Sequence, residues 1–455
     1  MGRNWKLHSA LWGALCIIAE PAVSQEGGAF WSIDFDQGVH FGDNLSLSVP
    51  AAAREVSAST DLGLNFVTRT RTQEFRFSTD LGLSFGVRDG GTANVGYDIP
   101  GASISYSRAA ATSSLAFVLS GQRSNVADVL SLQTILEGGV PEDYEGIGGV
   151  GTKSTYNSSL RIVTGEGSPL TTTYSLSASR TLYEDTVSPD LFDIDKATVG
   201  VALSYAMSPS ASLNGSISYT MSDADDADQT FTTSRAAAVG YSQAISEDST
   251  LGLTFTNTRT TATTTGGSAA STANDVSLSY SGPGLAGPFE AAVSLGLAGQ
   301  GGVNLELSQS KELPAGKIDY SLGADFSGAT PVLVGSLSYA QQIPSGQMSL
   351  GYRRDVGSTT LGEKRLTSGA WAGFSYEVTP SSTFGLRADL LVAEATLLSG
   401  AVTEAEITAN YTRALTPDWD FRAGLGFRVR DEEGVGYAAS PSIELGLSRS
   451  FLLKY

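Results

Sequence analysis

Apolar and polar positions alternate with a period of two along most of the chain. In "ATVGVALSYAM" (residues 197–207), Val199 and Val201 share one face and Gly200 lies on the other. The same alternation recurs in "TLGLTFTN", "KIDYSLGADF" and "DFRAGLGFRV", over about ten residues each time. Because successive side chains of a β-strand point to opposite faces, the pattern predicts strands with one apolar and one polar face.

Short turns separate these strands in pairs, at intervals that repeat along the chain. We place ten turns near Arg71, Ala110, Gly167, Pro209, Glu247, Leu285, Pro314, Pro344, Pro380 and Pro417. Two turn segments, "LSQSKELPAGKIDY" and "LSYAQQIPSGQMSL", match each other closely. This repetition indicates an array of β-hairpins. With one strand before the first turn and one after the last, ten turns predict about 22 strands, within a range of 18 to 22.

The connections between these hairpins are longer, more variable and more acidic than the turns. Examples are "DADDADQ" from Asp223, "TTATTTGGSAAST" from Thr260 and "DEEGVG" from Asp431; the longest connection covers residues 123–153. Short periplasmic turns and longer extracellular loops are typical of transmembrane β-barrels. Backbone groups in hydrocarbon must all be paired, so the first and last strands should pair as well. The predicted fold is all-β: a single closed antiparallel transmembrane β-barrel.

Tyrosines lie a few residues before several of the short turns. A preference of tyrosine for strands accounts for their presence, but not for their fixed position relative to the turns. An aromatic ring with a polar hydroxyl is well solvated at a membrane boundary. We therefore predict a periplasmic aromatic ring made of Tyr106, Tyr205, Tyr241, Tyr280, Tyr339, Tyr376 and Tyr411.

The N-terminus has the pattern of a secretory signal peptide. Arg3 and Lys6 precede the apolar run "ALWGALCIIA", and the small residues that follow predict cleavage after Ser24. The predicted organisation is a signal peptide over 1–24 and a transmembrane barrel over 25–455; the alternative for the first segment is a buried N-terminal helix. After it, the chain has no run of about 18 apolar residues, the length that a membrane-spanning helix needs.

Composition and charge exclude several classes of function. The formal net charge is −19, and it becomes −20 when residues 1–24 leave with two positive charges and one negative charge. An acidic chain lacks the basic surface that nucleic-acid binding requires. Cleavage also removes Cys16 and His8, which leaves His40 as the one histidine. We therefore predict no metal site built from Cys and His, no cofactor, and no enzyme, since a Ser-His-acid site would depend on His40 alone.

The polar face of the strands is the candidate pore lining. If the apolar face meets lipid, the lumen receives charges of both signs, diluted by Ser, Thr and Gly. The predicted pore-lining residues are Arg76, Asp80, Arg161, Glu306, Asp319, Asp325, Arg387, Asp389, Arg422, Arg428 and Glu444. Barrels of 16 or more strands can enclose an aqueous channel. The alternative is that these charges neutralise one another without lining a route.

A constriction would have to come from a loop, because strand patterning starts soon after residue 24 and leaves no separate plug domain. The connection over 123–153 is the candidate. Its segment "EGGVPEDYEG" carries carboxylates that would narrow the pore and disfavour anions.

The last strand ends in alternating apolar residues and an aromatic, with Phe451, Leu453 and Tyr455 on one face. Here the sequence resembles the outer-membrane β-barrel proteins of Gram-negative bacteria, in which such an ending is the signal for the barrel-assembly machinery. Arg449 interrupts this apolar face; it should lie near the membrane boundary, or a bulge should turn it inward. The start, "FDQGVHFGDNLSLSVP", looks like the uncharacterised proteobacterial β-barrel porins.

The resemblance implies an outer-membrane location and contact with outer-membrane lipid and lipopolysaccharide. It also implies assembly by the barrel machinery, and it supplies no catalytic residue. The leading hypothesis is a porin-like channel for passive diffusion of small polar solutes. The alternative is a conduit or scaffold for polysaccharide export. A barrel enzyme that uses His40 and a secreted adhesin are further alternatives.

Overall fold

Twenty-two antiparallel strands form one continuous sheet in the computed structural model. The structure describes residues 28–45, 47, 49–51, 54–88, 93–126, 132–138, 151–186, 191–284, 287–298, 302–326, 331–358, 364–396 and 400–454. The strands are β1 (Gly28–Gly42), β2 (Glu55–Arg69), β3 (Gln73–Arg88), β4 (Ala93–Ala109), β5 (Ser113–Asn125), β6 (Thr152–Thr164), β7 (Leu170–Glu184), β8 (Ile194–Ser208), β9 (Ala211–Ala224), β10 (Phe231–Ser246) and β11 (Ser249–Thr264). The second half of the sheet consists of β12 (Gly267–Pro283), β13 (Pro288–Ala298), β14 (Val303–Leu313), β15 (Gly316–Asp325), β16 (Val332–Ile343), β17 (Gly346–Ser358), β18 (Lys364–Thr379), β19 (Ser382–Ala393), β20 (Val402–Ala414), β21 (Trp419–Glu432) and β22 (Gly436–Lys454).

The first and last strands pair with each other and close the sheet. On β1, Asp34 lies opposite Gly63 of β2 on one side and opposite Ser450 of β22 on the other. Each strand of the sheet therefore has two hydrogen-bonded neighbours, and the closed sheet has no free edge. The predicted closed antiparallel barrel of 22 strands is confirmed.

Nine of the ten predicted turns fall in connections of two to five residues at one end of the barrel; the position of the tenth, Leu285, lies outside the described residues, between β12 and β13. At the other end the connections have between two and 26 residues. The prediction of a long loop over "TTATTTGGSAAST" was wrong. β11 and β12 continue through this segment and join at Thr265 and Gly266, because threonine favours strands and Gly267, with a φ of 145°, permits a tight hairpin.

Large apolar side chains cover the outer surface of the barrel. On β3, Leu81, Leu83, Phe85 and Val87 are between 41% and 50% exposed, and they alternate with polar or small residues such as Asp80. A continuous apolar surface of this kind is unfavourable in water and favourable in hydrocarbon. The polar positions of each strand consequently face the lumen.

Arg449 keeps the outward orientation of its strand, since neither of its pairings contains a register shift. Its guanidinium carbon lies 4.2 Å from the ring centroid of Phe451 and 5.4 Å from that of Trp419. A guanidinium nitrogen lies 3.6 Å from a carboxylate oxygen of Asp418, which belongs to a short turn. The arginine therefore lies near the membrane boundary, where a charged side chain costs about 0–1 kcal/mol.

One short helix, α1 (Leu132–Gly138), lies inside the barrel. It contacts β18, β19 and β20, and its Leu132, Ile135 and Leu136 are buried. The wall residues of this apolar cluster are Leu391, Ala393 and Val402, all on lumenal positions near the end of the barrel opposite the short turns. Within the described ranges, no helix is long and apolar enough to span a membrane.

Candidate functional site

The eleven charged residues predicted to line the pore all lie on lumenal positions of their strands. They occupy the alternating positions opposite to the exposed apolar side chains: Arg76, Asp80, Arg161, Glu306, Asp319, Asp325, Arg387, Asp389, Arg422, Arg428 and Glu444. Several are ion-paired. Arg387 Nε lies 2.9 Å from Asp389 Oδ2, and Lys317 Nζ lies 2.9 Å from Asp319 Oδ1. That these eleven residues line a conducting route stays a prediction.

A network of buried charges covers the wall formed by β19, β20 and β21. Glu404 is fully buried and contacts the guanidinium groups of both Arg428 and Arg430. Arg430 and Asp389 are each only 5% exposed. Two charges that leave water need close partners to offset the loss of hydration, and these side chains supply them to one another. Sequence reasoning missed Glu404 and Arg430, although the charged alternation in "VTEAEIT" and "FRVRDE" was the signal.

The helix α1 is seated on this charged wall. The backbone N–H of Leu132 donates a hydrogen bond of 2.8 Å to Glu406 Oε2. Unpaired N–H groups at the start of a helix carry partial positive charge, so the carboxylate of Glu406 is a favourable acceptor. Glu406 in turn lies directly opposite Asp389 on β19 and Arg428 on β21. The wall thus fixes the start of the helix.

Two glycines on lumenal positions make room for the apolar part of this contact. A Cβ atom at Gly369 would overlap the side chain of Leu136, and one at Gly351 would overlap the indole of Trp371. Glycine is needed where another group approaches the backbone this closely. Leu391 and Val402, apolar residues on an otherwise polar face, were the sequence signal for an inward segment.

The predicted constriction by the 123–153 connection is therefore addressed only in part. The α1 segment of that connection lies in the lumen. Most of "EGGVPEDYEG" lies outside the described residues, so the predicted role of its carboxylates stays a prediction.

A cleft of about 700 Å³ lies between α1 and strands β14 to β18. Charged, hydroxyl and aromatic side chains contribute to its lining, among them Glu306, Asp325, Ser336, Arg353, Asp355 and Trp371. Arg353 pairs with Asp355, and Lys364 Nζ lies 3.5 Å from Asp325 Oδ2. Its volume lies in the range of small-molecule sites.

A second group of lumenal carboxylates lies towards the short-turn end. Asp34, Asp36, Asp61, Asp80 and Asp420 line a cavity of about 290 Å³. Arg422 pairs with Asp36, and Asn65 Nδ2 donates to Asp34 Oδ2 at 2.8 Å. The acidic residues outnumber the arginines here, so this part of the lumen attracts cations. In the described part of the chain, no group of His, Cys, Asp or Glu has a metal-binding arrangement.

The wall formed by β9, β10 and β11 is different in character. On the described strands its lumenal positions carry only Ser, Thr, Asn, Gly and Ala. Hydroxyls pair between strands; the Oγ atoms of Ser212 and Ser242, for example, lie 2.7 Å apart. In a ring of 22 strands, β10 lies eleven strands from β21. The uncharged wall thus faces the charged wall across the lumen.

The seven predicted ring tyrosines all lie on outward positions near the short turns: Tyr106, Tyr205, Tyr241, Tyr280, Tyr339, Tyr376 and Tyr411. Tyr376 stacks on Phe374 with a centroid distance of 6.2 Å. Phe451 and Leu453 also point outward, whereas Tyr455 lies outside the described residues. Their roles as membrane ring and assembly signal stay predictions.

His40, on which an enzymatic site would depend, faces the lumen between Ser57 and Glu444 of the two adjacent strands. Its buried Nε2 has no hydrogen-bond partner. The Glu444 carboxylate extends towards Gly424 on the opposite side. The described residues thus place a serine, a histidine and an acid in one row, without the hydrogen bonds of a catalytic triad.

Comparison with known proteins identifies the fold. No protein-family model matches the sequence, and no curated protein matches it. The FrpB iron transporter from Neisseria meningitidis aligns over 92% of this chain and 82% of its own, with 9% identity and a TM-score of 0.58. The copper transporter OprC aligns over 92% and 80%, with 11% identity and a TM-score of 0.57.

A third similar structure is the ferric-catecholate import receptor Fiu from E. coli K12. It aligns over 94% of this chain and 82% of its own, with 12% identity and a TM-score of 0.56. The chain thus has the fold of Gram-negative outer-membrane β-barrels. The finer resemblance to the uncharacterised porins has no support from sequence comparison.

Proposed function

We propose that the chain is an outer-membrane channel, porin-like in mechanism, for passive diffusion of small polar solutes. The observation that carries this proposal is the closed barrel of 22 strands with an apolar outer surface and a polar lumen. A circular ring of this size has a diameter of roughly 44 Å at the backbone, from a strand spacing of about 4.8 Å and a tilt of about 40°. The described helix, about 10 Å across, is narrow compared with that diameter.

The fold also supports an outer-membrane location, which we propose together with export by the signal peptide over 1–24. Assembly by the barrel machinery and contact with lipopolysaccharide follow from the same location. The similar structures are named as transporters or receptors for copper, iron and ferric catecholate. With identities of 9–12%, they supply the fold and not the solute.

Charge makes the proposal more specific. Most lumenal arginines of β19 to β21 are neutralised by adjacent carboxylates. The acidic group that includes Asp61 and Asp80 has fewer compensating cations. A lumen with excess negative charge concentrates cations and depletes anions. We therefore propose that cations and neutral polar solutes pass more readily than anions.

Conductance in planar lipid bilayers tests the function. The folded barrel should give stable channels, with a reversal potential in a salt gradient that shows cation preference. The control is the same protein after heat denaturation, which should give none. A barrel that is folded by gel migration and circular dichroism, yet never conducts, would contradict the channel.

The alternative is a conduit for polysaccharide export, which would favour a track of aromatic rings along the lumen. On the described lumenal positions, Trp371 packs on Gly351 at the edge of the α1 cluster, and Tyr183 lies on β7 on the opposite side of the ring, so these two rings form no such track. Loss of surface polysaccharide in a deletion strain, with unchanged uptake of small solutes, would favour export over diffusion.

A further inference from the structure

Two arginines face each other on the outer surface of the barrel. Arg235 of β10 is the direct cross-strand partner of Arg259 of β11, and both side chains are exposed. They share their orientation with Val239 and Phe255, which are 58% and 44% exposed. Both guanidinium groups therefore extend from the wall on the lipid-facing side.

Their height places them at the boundary distant from the short turns. Arg259 lies eleven residues beyond the turn at 247–248. The outward positions of β11 between the turn and the pair are apolar up to Phe255, and the next ones, Asn257 and its cross-strand partner Asn274, are polar. The apolar band of the barrel therefore ends just below the pair. The pair consequently lies at the level of the lipid headgroups in the outer leaflet.

Like charges directly opposite each other destabilise a sheet unless something neutralises them. Two other outward arginines have a carboxylate partner: Arg180 lies 3.4 Å from Asp195, and Arg354 lies 3.1 Å from Glu394. Within the described residues, neither Arg235 nor Arg259 forms an ion pair.

The surroundings of the pair are also without negative charge. The Arg235 guanidinium lies 5.5 Å from the ring centroid of Tyr219 on the next strand. The outward carboxylate of that strand, Asp223, lies four residues further on, at about 13 Å along the strand. The described chain therefore places no carboxylate in contact with either guanidinium group.

Neutral polar groups complete the patch. Asn257 and Asn274 lie next to the arginines on the same face, with a hydrogen bond of 2.6 Å between them, and Thr272 lies opposite Arg259. Guanidinium groups bind phosphate through paired, charge-assisted hydrogen bonds, and amide and hydroxyl groups can donate to its remaining oxygens. Below the patch the surface is apolar.

We propose that Arg235 and Arg259 bind a phosphate group of a phosphorylated glycolipid in the outer leaflet, the lipid A part of lipopolysaccharide. The phosphate lies between the two guanidinium groups and removes their mutual repulsion. The acyl chains lie along the apolar surface around Val239 and Phe255. This site is independent of whether the lumen conducts.

Binding of lipid A to the detergent-purified barrel, followed by native mass spectrometry, tests the site. Wild type should bind bisphosphorylated lipid A about tenfold more tightly than Arg235→Ala/Arg259→Ala, because two charge-assisted contacts are lost. Arg235→Lys/Arg259→Lys should be intermediate. Arg180→Ala, which removes an outward arginine that already has a carboxylate partner, should bind like wild type.

The source of the phosphate is tested with two more ligands. Dephosphorylated lipid A should bind wild type and the double alanine variant equally weakly, and inorganic phosphate should not compete at millimolar concentration. Equal affinity of wild type and double variant for lipid A would overturn the proposal. Effective competition by inorganic phosphate would instead identify a site for free phosphate, and would also overturn it.

The temperature of thermal unfolding, measured without and with lipid A, is a second test of the site. Without lipid A, Arg259→Ala should unfold at a higher temperature than wild type, because repulsion is relieved. Lipid A should raise the unfolding temperature of wild type more than that of the variant. A variant that is less stable without lipid A would show that the pair is not repulsive, and the site would have no basis.

Discussion

Glu404 and Arg430 lie directly opposite each other on β20 and β21, and both are buried on the lumenal face of the wall. Their carboxylate and guanidinium groups approach to 3.7 Å, with Arg428 on the other side of the same carboxylate. The burial follows from α1, which covers this part of the wall. The charges and the helix therefore form one unit.

Removal of the shared carboxylate should destabilise the barrel. Glu404→Ala leaves Arg428 and Arg430 with too little negative charge in a buried place, and we expect a loss of about 3–5 kcal/mol in the free energy of unfolding. Urea unfolding in detergent, followed by tryptophan fluorescence, measures it. The control is Asp319→Ala, which should change the free energy of unfolding little because its ion-pair partner Lys317 is exposed. An equal loss of stability in the two variants would contradict the buried network.

Displacement of the helix should widen the pore. In Gly369→Val, the new side chain would occupy the place of Leu136, so α1 should leave the wall and single-channel conductance should rise. The matched control is Gly385→Val on the adjacent strand, where a Cβ atom meets nothing closer than 4.0 Å. Unchanged conductance in Gly369→Val, with a folded barrel, would contradict the location of the helix.

The closure of the barrel can be tested by cross-linking. Gly38 of β1 is the direct cross-strand partner of Gly446 of β22, and the Cα atoms of such antiparallel partners are about 4.5–5.5 Å apart, which suits a disulfide. In the chain without residues 1–24, which contains no native cysteine, Gly38→Cys/Gly446→Cys should oxidise to a species of altered gel migration. Gly38→Cys/Ser448→Cys, displaced by two residues, should not. Preferential cross-linking of the displaced pair would show a different register.

The acidic group near the short turns should set the ion preference. Asp61→Asn/Asp80→Asn removes two lumenal negative charges, and we expect the cation-to-anion permeability ratio to fall by roughly twofold or more. Reversal potentials in a potassium chloride gradient measure it. Asp223→Asn, on the outer surface near the opposite end, serves as the control and should leave the ratio unchanged. A larger change of the permeability ratio in Asp223→Asn than in the double variant would show that another region sets the ion preference.

The sequence was sufficient to predict the barrel because the alternation within each strand indicates its apolar face and its polar face. Positions such as Leu81 and Leu83 alternate with polar ones regardless of what lies elsewhere in the chain. The turns at 344–345 and 380–381 could be recognised locally as well. A closed sheet then follows from the need to pair all backbone groups in lipid.

The contacts inside the lumen could not be predicted in the same way. That Glu404 meets Arg430 depends on the exact register of β20 and β21, because a shift of two residues keeps both faces of the strands and changes every cross-strand pair. The seven residues of α1 are too few to show a helical period, and their partners on β19 lie about 250 residues away. Local patterns carry no information about such distant contacts.

The contrast between the wall of β9 to β11 and the wall of β19 to β21 has a consequence for what a solute experiences in transit. If solutes diffuse through the lumen as proposed, one that moves along β19 to β21 meets fixed ion pairs, whereas one that moves along β9 to β11 meets rotatable hydroxyls. The hydroxyls can exchange hydrogen bonds with a polar solute, and the ion pairs already satisfy one another. Two stereoisomers that present their hydroxyls differently would then stay near the hydroxyl wall for different times.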